Sequence, residues 1–104
     1  MLAQYVGEGL NAVLTMTDRI SPEKAEILAL EALGWLAGRP EDIDRFLSTS
    51  GLSAADLRHA AGERGLLGSV LDFLLANEAL LLEFCENASI SFQAVHAARH
   101  RLEA

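Results

Sequence analysis

Hydrophobic residues recur at intervals of three and four along most of the chain, which is the spacing of amphipathic helices. The first well-signalled helix begins at Ser21-Pro22-Glu23, because a serine N-cap precedes a proline at the first helical position. It is predicted to end near Ala37, since Gly38 can form a left-handed cap and Pro40 cannot continue a helix.

Turn and capping signals separate the helices that follow. Glycines, Asn77 and the serines Ser53 and Ser91 predict helices over about residues 41–49, 54–61, 63–76, 78–86 and 92–102. The chain is therefore predicted to be all-α, a compact bundle of about six short helices. We expect a single helical domain over residues 20–104, preceded over residues 1–19 by an N-terminal arm or helix of uncertain order.

The second half of the chain repeats the pattern of the first. Residues 33–61 align with residues 71–99 at a constant offset of 38 and without a gap. The identical pairs include Leu33 and Leu71, Leu36 and Leu74, Phe46 and Phe84, Ser53 and Ser91, and Ala60 and Ala98. This period is typical of helical repeats and indicates a pseudo-duplicated three-helix unit. The alternative is that two serine-capped helix hairpins align this well by chance.

The charge balance narrows the range of partners. Fifteen acidic and eight basic side chains give a net charge of -7, which repels phosphate backbones and anionic lipids, so nucleic acid is disfavoured. Asp72, Asn77 and Glu78 interrupt the most apolar stretch, so we expect no membrane span. Because Cys85 is the only cysteine, no internal disulfide can form, and a cytoplasmic protein is predicted.

No constellation of residues predicts catalysis or a cofactor. His96 and His100 have the spacing of two metal ligands on a helix, but no third ligand follows at an obvious spacing. Cys85 lies between Glu83 and Glu86, which favour the thiol over the reactive thiolate. The sequence contains no phosphate-binding loop of a known type. We therefore expect no enzyme activity, no cofactor, no bound metal and no small-molecule substrate.

Four hydrophobic residues fall at positions where a polar residue would be expected: Ile27, Leu30, Leu82 and Phe92. Burying each against a partner would contribute about 1.5 to 3 kcal/mol. We therefore predict a protein–protein interaction module, or a homo-oligomer, that uses these four residues. The N-terminal arm could cover them instead, or they could be isolated exposed residues of the kind that most proteins carry.

A short helix, a turn and a second short helix also form the pattern of a DNA-reading helix-turn-helix. The recognition helix would offer a few cations, either Arg58, His59 and Arg64 or His96, Arg99, His100 and Arg101. Two or three phosphate contacts would give weak, salt-sensitive binding. A weak nucleic-acid-associated protein is therefore the alternative function.

Three motifs stand out along the chain: ALGWLA at residues 32–37, FLSTSGL at residues 46–52 and LDFLLANE at residues 71–78. Together they resemble a family of short all-helical bacterial proteins, found in alphaproteobacteria and classed as a domain of unknown function. The resemblance covers about residues 20–102 and implies the helical fold but no activity. An acidic cap and a proline commonly open the last helix of that family, whereas this chain has Ser91 and Phe92 there.

Overall fold

Residues 20–103 are the part of the chain that the computed structural model describes, and they form six α-helices. The helices are α1 Pro22–Ala37, α2 Pro40–Ser50, α3 Ala54–Ala60, α4 Arg64–Leu75, α5 Glu78–Ala88 and α6 Phe92–Glu103. No strand occurs within these residues. The prediction of an all-α bundle is confirmed, whereas the arm predicted over residues 1–19 lies outside the described residues.

Serine caps begin three of the helices, as the sequence predicts. The hydroxyl of Ser21 accepts a hydrogen bond from the amide of Lys24 at 3.1 Å, and Ser91 accepts one in the same way from an amide of α6. Ser53 and Asp56 form a reciprocal capping box in which each side chain accepts from the other residue's amide. These bonds satisfy amides that the first turn of a helix leaves without a partner.

Gly38 and Asn77 stand at the predicted cap positions, but their conformation or bonding differs from the prediction. Gly38 has a φ of -84° rather than a left-handed conformation, because its amide donates to the carbonyl of Trp35 and the chain enters α2 directly through Arg39. Asn77 stands at the N-cap position of α5, but its side-chain amide donates to the carbonyl of Phe73 at 2.6 Å. Asn77 is therefore the N-cap residue of α5 by position, while its side chain helps to terminate α4.

The core lies between α1, α4 and α6, which make the most extensive contacts with one another, while α2 and α5 pack on its flanks. The largest fully buried side chains are Phe46, Phe84, Leu36, Leu67, Leu71, Leu74, Val70 and Val95. No polar or charged residue of the described chain is buried. Removal of apolar surface from water is therefore the main force that holds the helices together.

The helix boundaries repeat at the offset of 38 that the sequence predicts. α2 and α5 cover equivalent residues, and α1 and α4 end at equivalent positions. Arg39 and Asn77, which precede the two middle helices, have φ and ψ of -121° and 91° and of -124° and 88°. The residues with positive φ in the described chain, Gly51 and Ser89, are also 38 apart. The duplicated three-helix unit is therefore visible in the backbone.

Two aromatic contacts join the halves, and the same offset relates them. The ring centroids of Trp35 and Phe84 lie 5.5 Å apart, and those of Phe46 and Phe73 lie 5.4 Å apart. Phe73 is the equivalent of Trp35, and Phe84 is the equivalent of Phe46. Each half therefore gives the other a pair of aromatic rings from equivalent positions, which is the contact pattern of a two-fold symmetric pair.

At the protein surface, the side chain of Arg39 links the two halves. Its guanidinium lies 4.6 Å from the ring centroid of Trp35 and hydrogen-bonds Asp42 at 2.6 Å. It also pairs with Glu83 of α5 at 2.6 Å, so one side chain contacts both halves. The hydrogen bond to Asp42 raises the pKa of the Arg39 guanidinium above its ordinary value.

The third helices break the symmetry. α3 has seven residues and buries none of them. α6 has twelve residues, packs against α1 and α4, and buries Val95, Ala98 and Leu102. The second half therefore supplies a core helix for which the first half has only a short surface equivalent.

Phe46→Ala and Phe84→Ala are each expected to lower the free energy of unfolding by about 3 to 5 kcal/mol, because each removes a ring that is 1% exposed. Urea unfolding followed by circular dichroism measures both. Thr49→Ala, at an exposed position of α2, serves as the control and should change stability by about 0.5 kcal/mol or less. A large loss in only one of the two phenylalanine variants would contradict the reciprocal arrangement.

Candidate partner-binding groove

Leu82 and Phe92 border one shallow groove on the surface, where the end of α5 meets the start of α6. The cavity has a volume of about 340 Å³ and is lined by Leu82, Cys85, Glu86, Ile90, Ser91, Phe92 and Gln93. We call it the α5–α6 groove. Most of its lining is hydrophobic, and Glu86 is the one charged residue in it.

The turn between the two helices shapes this groove. Ser89 adopts a left-handed conformation with a φ of 56°, which ends α5. The amide of Ile90 then donates to the carbonyl of Cys85 at 3.0 Å, and Ser91 caps α6. Phe92 is consequently the first residue of α6, and the turn brings its ring to the groove that Leu82 borders.

All four residues predicted for partner binding are exposed. The exposed fractions are 54% for Ile27, 43% for Leu30, 44% for Leu82 and 42% for Phe92, and these are the exposed large hydrophobic residues of the described chain. The structure brings Leu82 and Phe92 together in the groove, whereas Ile27 and Leu30 lie on α1 and do not line it. The four residues therefore do not form one site around this groove.

Sequence reasoning missed the other residues of the groove. Ile90 and Cys85 supply apolar surface between Leu82 and Phe92, and Glu86 supplies the charge at the rim. Cys85 follows Leu82 by three positions on α5, a spacing that places both on one side of the helix. That spacing could have linked them, but the position of Ile90 depends on the left-handed turn at Ser89.

The thiol of Cys85, which lines the groove, lacks the properties of a nucleophilic cysteine. Cys85 is only 5% exposed, and burial raises the pKa of its thiol. A raised pKa leaves the thiol protonated at neutral pH, whereas nucleophilic cysteines need a lowered one. Cys85 therefore contributes apolar surface to the groove.

The charge around the groove is negative. Glu78 lies four residues before Leu82 on α5, and Glu86 lies four residues after it. Neither carboxylate forms an ion pair within residues 20–103, whereas Glu83 pairs with Arg39. No lysine or arginine lines the groove. Glu86 lines the groove, whereas Glu78 lines a separate cavity that Arg39 and Arg45 also line. The α5–α6 groove therefore combines an apolar floor with one unpaired carboxylate.

The first half of the chain provides an internal comparison for this surface. At the offset of 38, Leu82 corresponds to Asp44 and Phe92 corresponds to Ala54, and both are exposed. Glu86 likewise corresponds to Ser48. The same helix, turn and helix start therefore form without a large apolar side chain at either position.

The histidines and arginines of α6 do not assemble a second site. Within residues 20–103 no three histidine, cysteine or acidic side chains converge as metal ligands would, and His96 and His100 are both exposed. Arg99 donates to both carboxylate oxygens of Asp72, at 2.5 and 3.0 Å. Arg101 donates to the carbonyl of Ile20 at 2.9 Å. Both arginines of this helix therefore hold the fold.

No single helix of the described chain has the length and hydrophobicity needed to cross a membrane. α4 and α5 taken together reach those limits, but they are bent by 110° at the break between them.

Leu82→Asp and Phe92→Ala are each expected to change the free energy of unfolding by less than about 1 kcal/mol, because the first half carries these same residues at equivalent exposed positions. Leu81→Asp is the matched control. It places a carboxylate at a neighbouring position that is 7% exposed, so it should destabilise by several times as much. Thermal and urea unfolding measure all three, and a large loss in Leu82→Asp would assign Leu82 to the fold.

A comparison with protein-family models matched residues 22–104 to a family described as a protein of unknown function, DUF3572. The match extends over all six helices. Comparisons with curated proteins and with solved structures gave no match. The family match covers most of the chain, as the resemblance of its motifs implied, and the chain therefore belongs to the DUF3572 family of proteins of unknown function.

Proposed function

We propose that this protein acts by binding another protein chain and that the α5–α6 groove is its contact surface. The observation that carries the proposal is the internal comparison. Leu82 and Phe92 are more than 40% exposed and line one groove. The equivalent positions of the other half, which form the same helix, turn and helix start, carry Asp44 and Ala54. A partner that covered both side chains would gain about 1.5 to 3 kcal/mol from each.

Binding without catalysis is part of the proposal. A raised pKa makes Cys85 a poor nucleophile, and a shallow groove of this kind gives little enclosure for a small substrate. His96 and His100 are exposed, and within residues 20–103 neither ring has a hydrogen bond that would orient it for proton transfer; the nearest carboxylate oxygen, of Glu103, lies 3.9 Å from Nδ1 of His100. The residues of the groove can bury apolar surface and attract cations, which are the properties of a docking surface.

The alternative of nucleic-acid binding has less support. The basic residues that α6 would offer to phosphates are partly used within the protein, since Arg99 contacts Asp72 and Arg101 contacts the backbone of Ile20. The net charge of -7 also opposes contact with a phosphate backbone. A protein partner is therefore the better account of the exposed surface.

We also propose a bacterial source, alphaproteobacterial as the three motifs suggest, and a cytoplasmic location. The support for the location is chemical. Cys85 is a free, buried thiol, and proteins of reducing compartments commonly keep their cysteines in this state.

Affinity capture from an extract of the source organism, followed by a binding assay with the purified partner, tests the proposal. The bait is the full chain, as wild type, as Leu82→Asp/Phe92→Ala, and as the control Ile27→Asp/Leu30→Asp. Sedimentation velocity on the same three proteins tests a second copy as the partner. We expect the groove variant to weaken binding at least about tenfold, because two buried side chains are lost.

The control variant should bind as wild type does, because Ile27 and Leu30 lie outside the groove. Loss of binding in the control alone would place the contact surface on α1 and overturn the proposal. Equal binding by all three proteins would also overturn it. So would a wild-type protein that remains monomeric and captures nothing that binds it directly.

A further inference from the structure

We infer that residues 1–19 of this chain pack against the outer face of α1 and cover Ile27 and Leu30. This inference goes beyond the proposed function, since neither residue lines the α5–α6 groove. Three observations support it: the apolar outer face of α1, the cover that the equivalent face of α4 has in the second half, and the hydrophobic pattern of residues 1–19.

The outer face of α1 presents apolar surface to solvent. Ile27, Leu30 and Gly34 follow one another at spacings of three and four, so they lie on one side of the helix. Ile27 and Leu30 are 54% and 43% exposed, and Gly34 is exposed as well. A Cβ at Gly34 would meet no atom within 4 Å, so no contact among residues 20–103 requires a glycine there. The missing side chain leaves room for another backbone to come close to α1.

The equivalent face of α4 is covered by α6. At the offset of 38, Leu30 corresponds to Gly68, which is buried. Arg99 of α6 lies over Gly68, where a Cβ would come within 3.2 Å of the guanidinium. Among the equivalent positions of α1 and α4, Leu30 and Gly68 are the one pair in which one residue is exposed and the other is buried. The two first helices therefore differ in what covers this position.

The third helix of the first half does not provide this cover. α3 buries none of its seven residues and makes few contacts with α1, whereas α6 packs extensively against α4. Arg64, which follows α3, pairs with Glu26 of α1 at 3.2 Å, but Ile27 and Leu30 remain exposed. The described chain therefore leaves this face of α1 without the helix that its equivalent has.

Residues 1–19 have the sequence pattern of an amphipathic helix with one narrow polar side. The polar side chains recur at intervals of four, three and four: Gln4, Glu8, Asn11 and Thr15. The opposite side of such a helix would carry apolar side chains: Leu2, Val6, Leu10 and Val13. A helix of this kind is stable only when its apolar side packs against another surface.

The position of residues 1–19 in the chain favours the face of α1 as that surface. Ile20, which follows them, is partly buried against the core, and Arg101 of α6 donates to its carbonyl at 2.9 Å. Leu30 lies about 15 Å along α1 from Ile20, and a helix as long as α6 spans about 18 Å. Nineteen residues supply such a helix and a short turn. Because they are tethered beside this face, their effective concentration there exceeds that of a separate chain.

Amide hydrogen exchange on the full chain, resolved by residue, tests the inference. We expect the amides of residues 5–16 to exchange at least about tenfold more slowly than those of an unstructured chain. Leu30→Asp should lower this protection at least about tenfold, because a carboxylate would face the apolar side of the segment. The matched control is Leu82→Asp, the same change at a leucine of similar exposure, and it should alter the protection by less than about twofold.

Changes within the segment give the reciprocal test and lie outside the six helices. Val13→Asp, on the apolar side, should lower the protection of residues 5–16 at least about tenfold. Thr15→Asp, on the polar side, should alter it by less than about twofold. The amides of α4 should stay protected in both variants, which shows that the fold is intact. If Leu30→Asp exposes the amides of α4, the comparison of Val13→Asp with Thr15→Asp decides.

Four results would overturn the inference. Residues 5–16 could exchange in the wild type as an unstructured chain does, or exchange equally in all the variants. A loss of protection in Leu82→Asp but not in Leu30→Asp would place the segment in the α5–α6 groove. Protection that rises with protein concentration would show that a second copy, and not the tethered segment, covers α1.

Discussion

The structure depends on an interior that its two halves share, because α1 of the first half packs against α4 and α6 of the second. Trp35 packs against Phe84 and Phe73 packs against Phe46, so each half completes the interior of the other. A three-helix unit of this size has too little apolar surface to bury on its own. Reciprocal contacts solve this problem in the way that a symmetric dimer does, with the two subunits joined in one chain. The backbone repeats at the offset of 38, so aromatic rings at equivalent positions of the two units reach equivalent places in this interior.

The symmetry of the interior does not extend to the surface. The middle helices α2 and α5 have the same length and the same left-handed exit, but one carries Asp44 on its outer face and the other carries Leu82. Phe92 is the first residue of α6, and its equivalent Ala54 is the first residue of α3. These positions are exposed and contribute little to the core, so the two units can carry different residues there without a change of backbone. The hydrophobic pair Leu82 and Phe92 therefore occurs in one unit only, where α6, the longer third helix, packs against α1 and α4.

The helices, their serine caps and their exposed faces could be predicted from the sequence, because helix periodicity and capping depend on residues close together in the chain. Ser21, Ser53 and Ser91 cap helices as predicted, and the exposure of Leu82 and Phe92 follows from their positions on each helix. The meeting of those two side chains in one groove could not be predicted, because it depends on how the turn at Ser89 directs the chain.

The left-handed conformation predicted for Gly38 is wrong for a related reason. Several backbone conformations can end a helix, and the entry to the next helix decides between them. The ion pair between Arg99 and Asp72 could not be predicted either, since the two residues lie 27 positions apart on different helices. Local patterns thus identify the faces of helices, whereas tertiary packing decides which faces meet.

The claim at the centre of this account is that the two halves share one interior and unfold together. Trp35 is the only tryptophan and packs against a ring of the other half, so its fluorescence reports on the junction between them. Urea unfolding followed in parallel by Trp35 fluorescence and by far-ultraviolet circular dichroism tests the claim directly. The account predicts a single transition with the same midpoint for both signals. A fluorescence change complete at a urea concentration where the helical signal is still native would show that the halves separate first, and it would contradict the account.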